Sequence, residues 1–143
     1  MEFVYHDGGR KDAGYKGTTG DCVCRAVSIA TQRPYIEAYE ALSDAGRAER
    51  LTKRKRKRSH ARTGMRKATI RKFLTDLGWT WTPTMHIGKG CTVHLRASEL
   101  PPGRVIVQVS KHLTCVINGV LHDTHDCSRD GTRCVYGYWT QEG

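Results

Sequence analysis

Three side chains have the right types and positions for acyl-transfer chemistry. Cys22 follows Asp21 where an apolar run with helical spacing begins. The free N–H groups and the dipole at a helix start favour a thiolate and lower a thiol's pKa. Such a thiolate needs a partner base, usually histidine. Seven histidines are available, so position must select among them.

The selection comes from a hairpin. Asn118-Gly119 stands between two apolar runs, 113–117 and Val120–Asp123, and Asn-Gly is a strong two-residue turn signal. With that turn, Ile117 opposes Val120, Thr114 opposes Asp123, and His112 opposes His125. Opposed residues share a face, as do residues two apart along a strand. His112, Thr114, Asp123 and His125 therefore share a face, with Asp123 diagonal to His112. Asp126 falls on the other face. A one-residue slip would separate the pair. The reading is Cys22 as nucleophile, His112 as base and Asp123 as orienter. Cys24, two residues further along the helix, is expected to point away from His112 and pack in the core.

The elements that must hold these residues follow from pattern. A short strand is expected around Phe3-Val4-Tyr5, then a glycine-rich loop. The run Cys22–Thr31 reads as a helix, with Val23, Ala26, Val27 and Ala30 at helical spacing and Asp21 as its cap. A second helix spans 35–45, opened by Pro34 and ended by Gly46. A third spans about 68–77, with Ile70, Phe73, Leu74 and Leu77 on one face and Gly78 after it. From Trp79 the period becomes two. Strands are expected at 80–84, 92–95, Arg104–Val109, 113–117, Val120–Asp123 and 134–139. Helices first and an antiparallel sheet after make an α+β class, in one domain spanning 1–143.

Charge is concentrated. Residues 47–72 hold thirteen of the 24 Lys and Arg, against the single acid Glu49, and the rest of the chain is slightly acidic. Lys53, Arg54, Lys55, Arg56, Lys57 and Arg58 favour an exposed, mobile loop, at about 47–66. Any nucleic acid or anionic surface among the partners must meet this segment. No apolar run approaches the roughly 20 residues that span a bilayer. The polar start, residues 1–10, carries no signal-peptide core, so a cytoplasmic location is expected, with all six cysteines as free thiols. His122, His125, Cys127 and Cys134 include zinc-ligand types. Their spacing is not a standard one, however, and the hairpin puts His122 and His125 on opposite faces. No metal or other cofactor is expected.

Taken in order, these stretches resemble the papain-like cysteine peptidases, most closely the double-glycine leader peptidases. The matching pieces are Asp21-Cys22 opening a helix, 64–78 as a helix ending in Leu-Gly, and Leu100-Pro101 leading into the strand 105–109. Lys111-His112-Leu113-Thr114-Cys115-Val116-Ile117 and His122-Asp123 complete them. Short proteins of bacteriophage genomes look similar as well. The resemblance implies Cys22, His112 and Asp123 as a catalytic triad acting on a protein or peptide, in a host cytoplasm if the chain is phage-encoded. It also marks departures. The family has glutamine six residues before the cysteine, as an oxyanion donor, where this chain has Lys16. Lys16, Thr18 or Thr19 would have to take that role. Val23 follows the nucleophile in place of glycine, and Lys111 precedes His112. An alternative is a catalytically impaired papain-like fold that binds a protein or nucleic acid through its basic segment.

Overall fold

The computed structural model describes residues 1–16 and 20–141. Three helices pack on a mostly antiparallel sheet, an α+β arrangement. Strand β1 (Phe3–Tyr5) precedes helices α1 (Cys22–Thr31), α2 (Tyr35–Arg47) and α3 (Lys67–Asp76). Then come β2 (Trp79–Pro83), β3 (Met85–His86), β4 (Gly90–Cys91), β5 (Arg104–Val109), β6 (His112–Ile117), β7 (Val120–Asp123) and β8 (Gly137–Gln141). The main sheet has the order β1-β7-β6-β5-β8-β2, and β3 and β4 form a separate two-stranded ribbon. Among the described residues, no helix is long and apolar enough to cross a membrane.

Alternation along β5 divides the core. Ile106 faces the helices and joins a cluster with Val27, Leu42, Leu74, Cys115 and Trp139. Val105, Val107 and Val109 face the other way, onto Leu95, Val116, Leu121 and Val135. Both sides of the central strands are therefore buried, as their near-continuous apolar sequences require. The hairpin register is the expected one, with Ile117 opposite Val120 and Cys115 opposite His122. Asn118 and Gly119 both have positive φ, 48° and 80°, as a tight twisted hairpin turn demands.

Several expectations are corrected. The sheet is not purely C-terminal, because β1 pairs parallel with β7. Residues 92–95 are not a strand; only His94 bridges, to Cys134. Their partner segment 133–135 is equally short, and the last strand starts three residues later than expected, at Gly137. Not all cysteines are free, since Cys91 and Cys134 form a disulfide. Helix α3 begins at Lys67, with 64–66 still in the loop before it.

Gly46 is the most informative correction. It does not end α2, which runs through it to Arg47. A Cβ at Gly46 would lie 1.9 Å from the carbonyl oxygen of Ser59. The glycine is there because the returning basic loop crosses the helix at backbone distance. In an open helix Gly→Ala stabilises by up to about 1 kcal/mol. Here Gly46→Ala is expected to destabilise by about 1–3 kcal/mol, the usual cost of overpacking. Urea denaturation decides the sign, and a stabilised variant would contradict the close crossing.

Candidate active site

The sheet and the first helix bring the predicted residues together. Cys22 is the first residue of α1, His112 is the first of β6, and the two elements pack against each other. Both line a cleft of about 330 Å³, with Gly20, Thr63, Lys67 and Gln108 among its other walls. Gly20 is fixed there by its N–H, which donates to the Arg62 carbonyl at 2.8 Å. The loop that leaves the basic segment thus forms one wall of the cleft.

His112 Nε2 lies 2.7 Å from Asp123 Oδ2. That leaves Nδ1 for other partners, and the Cys22 thiol lines the same cleft as the imidazole. The His112 and His125 rings lie 5.2 Å apart between centroids, as cross-strand neighbours should. Asp123 is 3% exposed. A buried carboxylate is tolerable only when its lone pairs are satisfied. Thr114 donates its hydroxyl to Oδ2 at 2.7 Å, and the Thr124 N–H donates to Oδ1 at 2.7 Å. Arg25 reaches Oδ1 at 3.5 Å, and the Cys127 thiol sits 3.8 Å from Oδ2.

These contacts set the charges. Burial opposes ionisation of Asp123, but the hydrogen bonds from His112 and Thr114 outweigh it and hold its carboxyl well below the usual range. Burial likewise disfavours the imidazolium. Hydrogen bonds to Asp123, Cys127 and Cys22 overcome that and push His112 up to about 11. For Cys22, burial raises the thiol, yet the bond with His112, the Leu113 backbone contact and the charges of His112 and Arg25 lower it overall. Both shifts run in the direction of a thiolate–imidazolium pair. Cys24 behaves in the opposite way. It is fully buried, contacts the Tyr35 carbonyl at 3.9 Å, and is pushed up to about 12, chiefly by burial.

Asp21 does not cap α1 as expected, since its side chain makes no capping bond. Its carboxylate is fully buried and is taken by Arg25, by the Tyr35 hydroxyl at 2.7 Å and by Arg10 at 3.5 Å. These three side-chain donors outcompete the local N–H groups, so the Asp21 side chain caps none of the first-turn N–H groups of α1. Arg25 joins Asp21 to Asp123 and so braces α1 against the end of β7.

The expected oxyanion helpers fare less well. Lys16 is exposed and is not among the residues lining the cleft; its carbonyl accepts from Arg62 at 2.9 Å. In that contact the backbone of Lys16, rather than its side chain, meets Arg62. Thr18 and Thr19 lie outside the described residues. Three residues not assigned a site role from sequence line the cleft instead: Lys67, Gln108 and Lys111. Gln108 Nε2 donates to the Val109 carbonyl at 2.7 Å and to the His112 carbonyl at 3.1 Å, which fixes the turn carrying the histidine. Its sequence signal is the single polar residue in the otherwise apolar run VIVQV at 105–109.

The run Lys53, Arg54, Lys55, Arg56, Lys57 and Arg58 is exposed and irregular, apart from the cleft lining. Glu49 pins its ends, accepting from the Ser59 and Thr69 hydroxyls and pairing with Arg66 at 3.4 Å. The set His122, His125, Cys127 and Cys134 does not assemble: Cys134 is bonded to Cys91, His122 stacks near His6, and His125 neighbours His112. His112, Asp123 and Cys127 do have ligand-type atoms within 4.8 Å of one another. Comparison with known proteins gives no matching family model, no matching curated protein and no matching solved structure.

The electrostatics make one outcome measurable. With its pKa lowered, Cys22 holds thiolate at pH values below the ordinary thiol range. Iodoacetamide should therefore alkylate Cys22 first near neutral pH, ahead of buried Cys24, Cys115 and Cys127. In His112→Ala the rise in rate should move up toward the ordinary thiol pKa of about 8.5. Peptide mapping over a pH series reads both, and a Cys22 rate no faster than the other thiols would contradict the ion pair.

Proposed function

We propose that the protein is a papain-like cysteine hydrolase, a thiol peptidase or a related acyl-transfer or deamidating enzyme. One observation carries the reading: a thiol at a helix start lines one cleft with His112, whose imidazole lies 2.7 Å from the buried Asp123 carboxylate. Each group has the environment its role requires.

The Cys22 thiolate attacks an acyl carbon, and the carbonyl oxygen gains the negative charge. N–H groups of the first turn of α1, with no side-chain cap, are the donors available for that charge. The His112 imidazolium then protonates the leaving amine, and a thioester remains on Cys22. Neutral His112 next takes a proton from water, which attacks the thioester and frees the thiol. Asp123 holds the ring in the tautomer with the proton on Nε2 throughout. No cofactor enters these steps. Lys67 and Lys111 give the cleft a positive rim, which favours an acidic residue or a carboxylate beside the scissile bond.

The second reading is a catalytically impaired papain-like fold that binds through its basic segment. It is favoured by Lys16 lying away from the cleft, where the resembling family has an oxyanion-stabilising glutamine. A peptide pool read by mass spectrometry separates the two. Wild-type protein should cleave or deamidate a subset of peptides, Cys22→Ala should leave all intact, and His112→Ala should slow turnover by about 100- to 10,000-fold. No turnover of the pool by wild type, with tight and steeply salt-dependent binding of an anionic polymer, would favour the second reading.

The pH dependence follows from the pair. Activity needs the thiolate and the imidazolium together. It should rise as pH passes the lowered Cys22 pKa, hold through neutrality, and fall only as His112 loses its proton near 11. A rate that fell off near pH 7 would mean that the contact with Asp123 does not hold the imidazolium.

A further inference from the structure

A second cluster of reactive side chains lies apart from the cleft, where the β3–β4 ribbon meets the segment before β8. Cys91, His94 and Cys134 have their ligand-type atoms within 4.8 Å of one another. The backbone that carries them is already fixed. Residues 94 and 134 oppose each other, with the Leu95 N–H bonded to the Arg133 carbonyl and the Val135 N–H to the Val93 carbonyl, both at 2.9 Å. Thr92 bonds the Thr84 carbonyl at 2.7 Å, and the Thr84 hydroxyl bonds the Val135 carbonyl at 2.7 Å. Cys91 is thereby held over the 94–134 bridge.

The histidine is oriented at both ring nitrogens. Nε2 lies 3.5 Å from Cys91 Sγ, and Nδ1 lies 3.2 Å from a Glu99 carboxylate oxygen. The same oxygen accepts from the His94 backbone N–H at 3.3 Å. A disulfide that only staples two loops needs no imidazole aimed at its sulfur by a carboxylate. A carboxylate–histidine–metal relay needs that arrangement. The distance fits as well. On a tetrahedral zinc with ordinary bond lengths, sulfur and nitrogen ligands stand about 3.6 Å apart.

We propose that the reduced Cys91–Cys134 pair, with His94, binds one zinc ion, and that oxidation to the disulfide releases it. A phosphine reductant supplies two electrons and one water supplies two protons, so that the S–S bond opens to two thiols and the phosphine leaves as its oxide. Zinc binding displaces both thiol protons and takes one nitrogen from His94. The two sulfurs must part to about 3.8 Å on the metal, a side-chain rotation for residues with Cα atoms 5.8 Å apart. Water fills the fourth position, because the cluster opens to solvent. The spacing Cys-x2-His then reads as a ligand pair, completed from 40 residues further along by Cys134.

The test uses the full chain, reduced with a phosphine, incubated with zinc sulfate, desalted and assayed by elemental analysis. One zinc per chain is expected after reduction and none in the oxidised protein. His94→Ala keeps both cysteines and the disulfide, so it should fold and yet lose the zinc. Glu99→Gln should weaken zinc binding by about 10- to 100-fold. Cobalt in place of zinc should give thiolate-to-metal absorption that His94→Ala abolishes. Cys22→Ala and Cys127→Ala should retain the zinc. A reduced wild type without zinc overturns the proposal. So does zinc that survives His94→Ala, or zinc lost with Cys127→Ala, which would move it to the His112 cluster.

Discussion

A carboxylate taken out of water must find partners, and in this molecule that requirement falls most heavily on Asp123. It is nearly inaccessible and ends β7, the strand next to the sheet's edge strand β1. Its oxygens are met by a strand neighbour, a backbone N–H, an arginine from α1 and the imidazole of His112. Removing any one of these would leave charge poorly compensated in a low-dielectric site. The contact that stabilises the carboxylate therefore also aims and charges the histidine. The sign of the effect is consistent on both sides. The lowered Asp123 contributes stability above the usual carboxylate range and loses it as pH falls. The raised His112 contributes below its ordinary value near 6.5 and loses it as pH climbs toward 11.

The same logic explains how α1 is used. Cys22 and Cys24 are two residues apart on one helix, yet burial drives one thiol up while the ion pair draws the other down. Helical geometry separates them by more than half a turn, so only the first meets the end of β6. Asp21 would be a routine cap in an isolated helix. Here Tyr35, Arg10 and Arg25 claim it, and its side chain does not cap the helix. Arg25 then ties this helix to Asp123, so α1 and the end of β7 are held through one guanidinium.

The basic segment is handled differently. Its charges are not neutralised one by one; they are put into water, on an exposed excursion between α2 and α3. What holds the excursion is its single acid. Glu49 is buried beneath Ser59, Thr69 and Arg66, and burial opposing its charge is outweighed by those bonds. The close crossing of Ser59 over Gly46 completes the closure. The descending part of the loop, at 63–65, then becomes a wall of the cleft.

Much of this was legible from local pattern. The helix at Cys22–Thr31, the strands Arg104–Val109 and Val120–Asp123, and the Asn118-Gly119 register follow from periodicity and turn chemistry, and those depend on near neighbours in sequence. The register alone put Asp123 beside His112, because strand pairing is a two-residue rule. Tertiary structure decided the rest. The parallel pairing of β1 with β7, the crossing of Ser59 over the glycine within α2, the capture of Asp21 by Tyr35 and the meeting of Cys91 with Cys134 all join residues in different elements of the chain. The exposed position of Lys16 and the place of Gln108 behind the histidine turn are of the same kind. Such contacts are settled by which groups compete for a buried partner once the core has closed, and no spacing in the sequence encodes that competition.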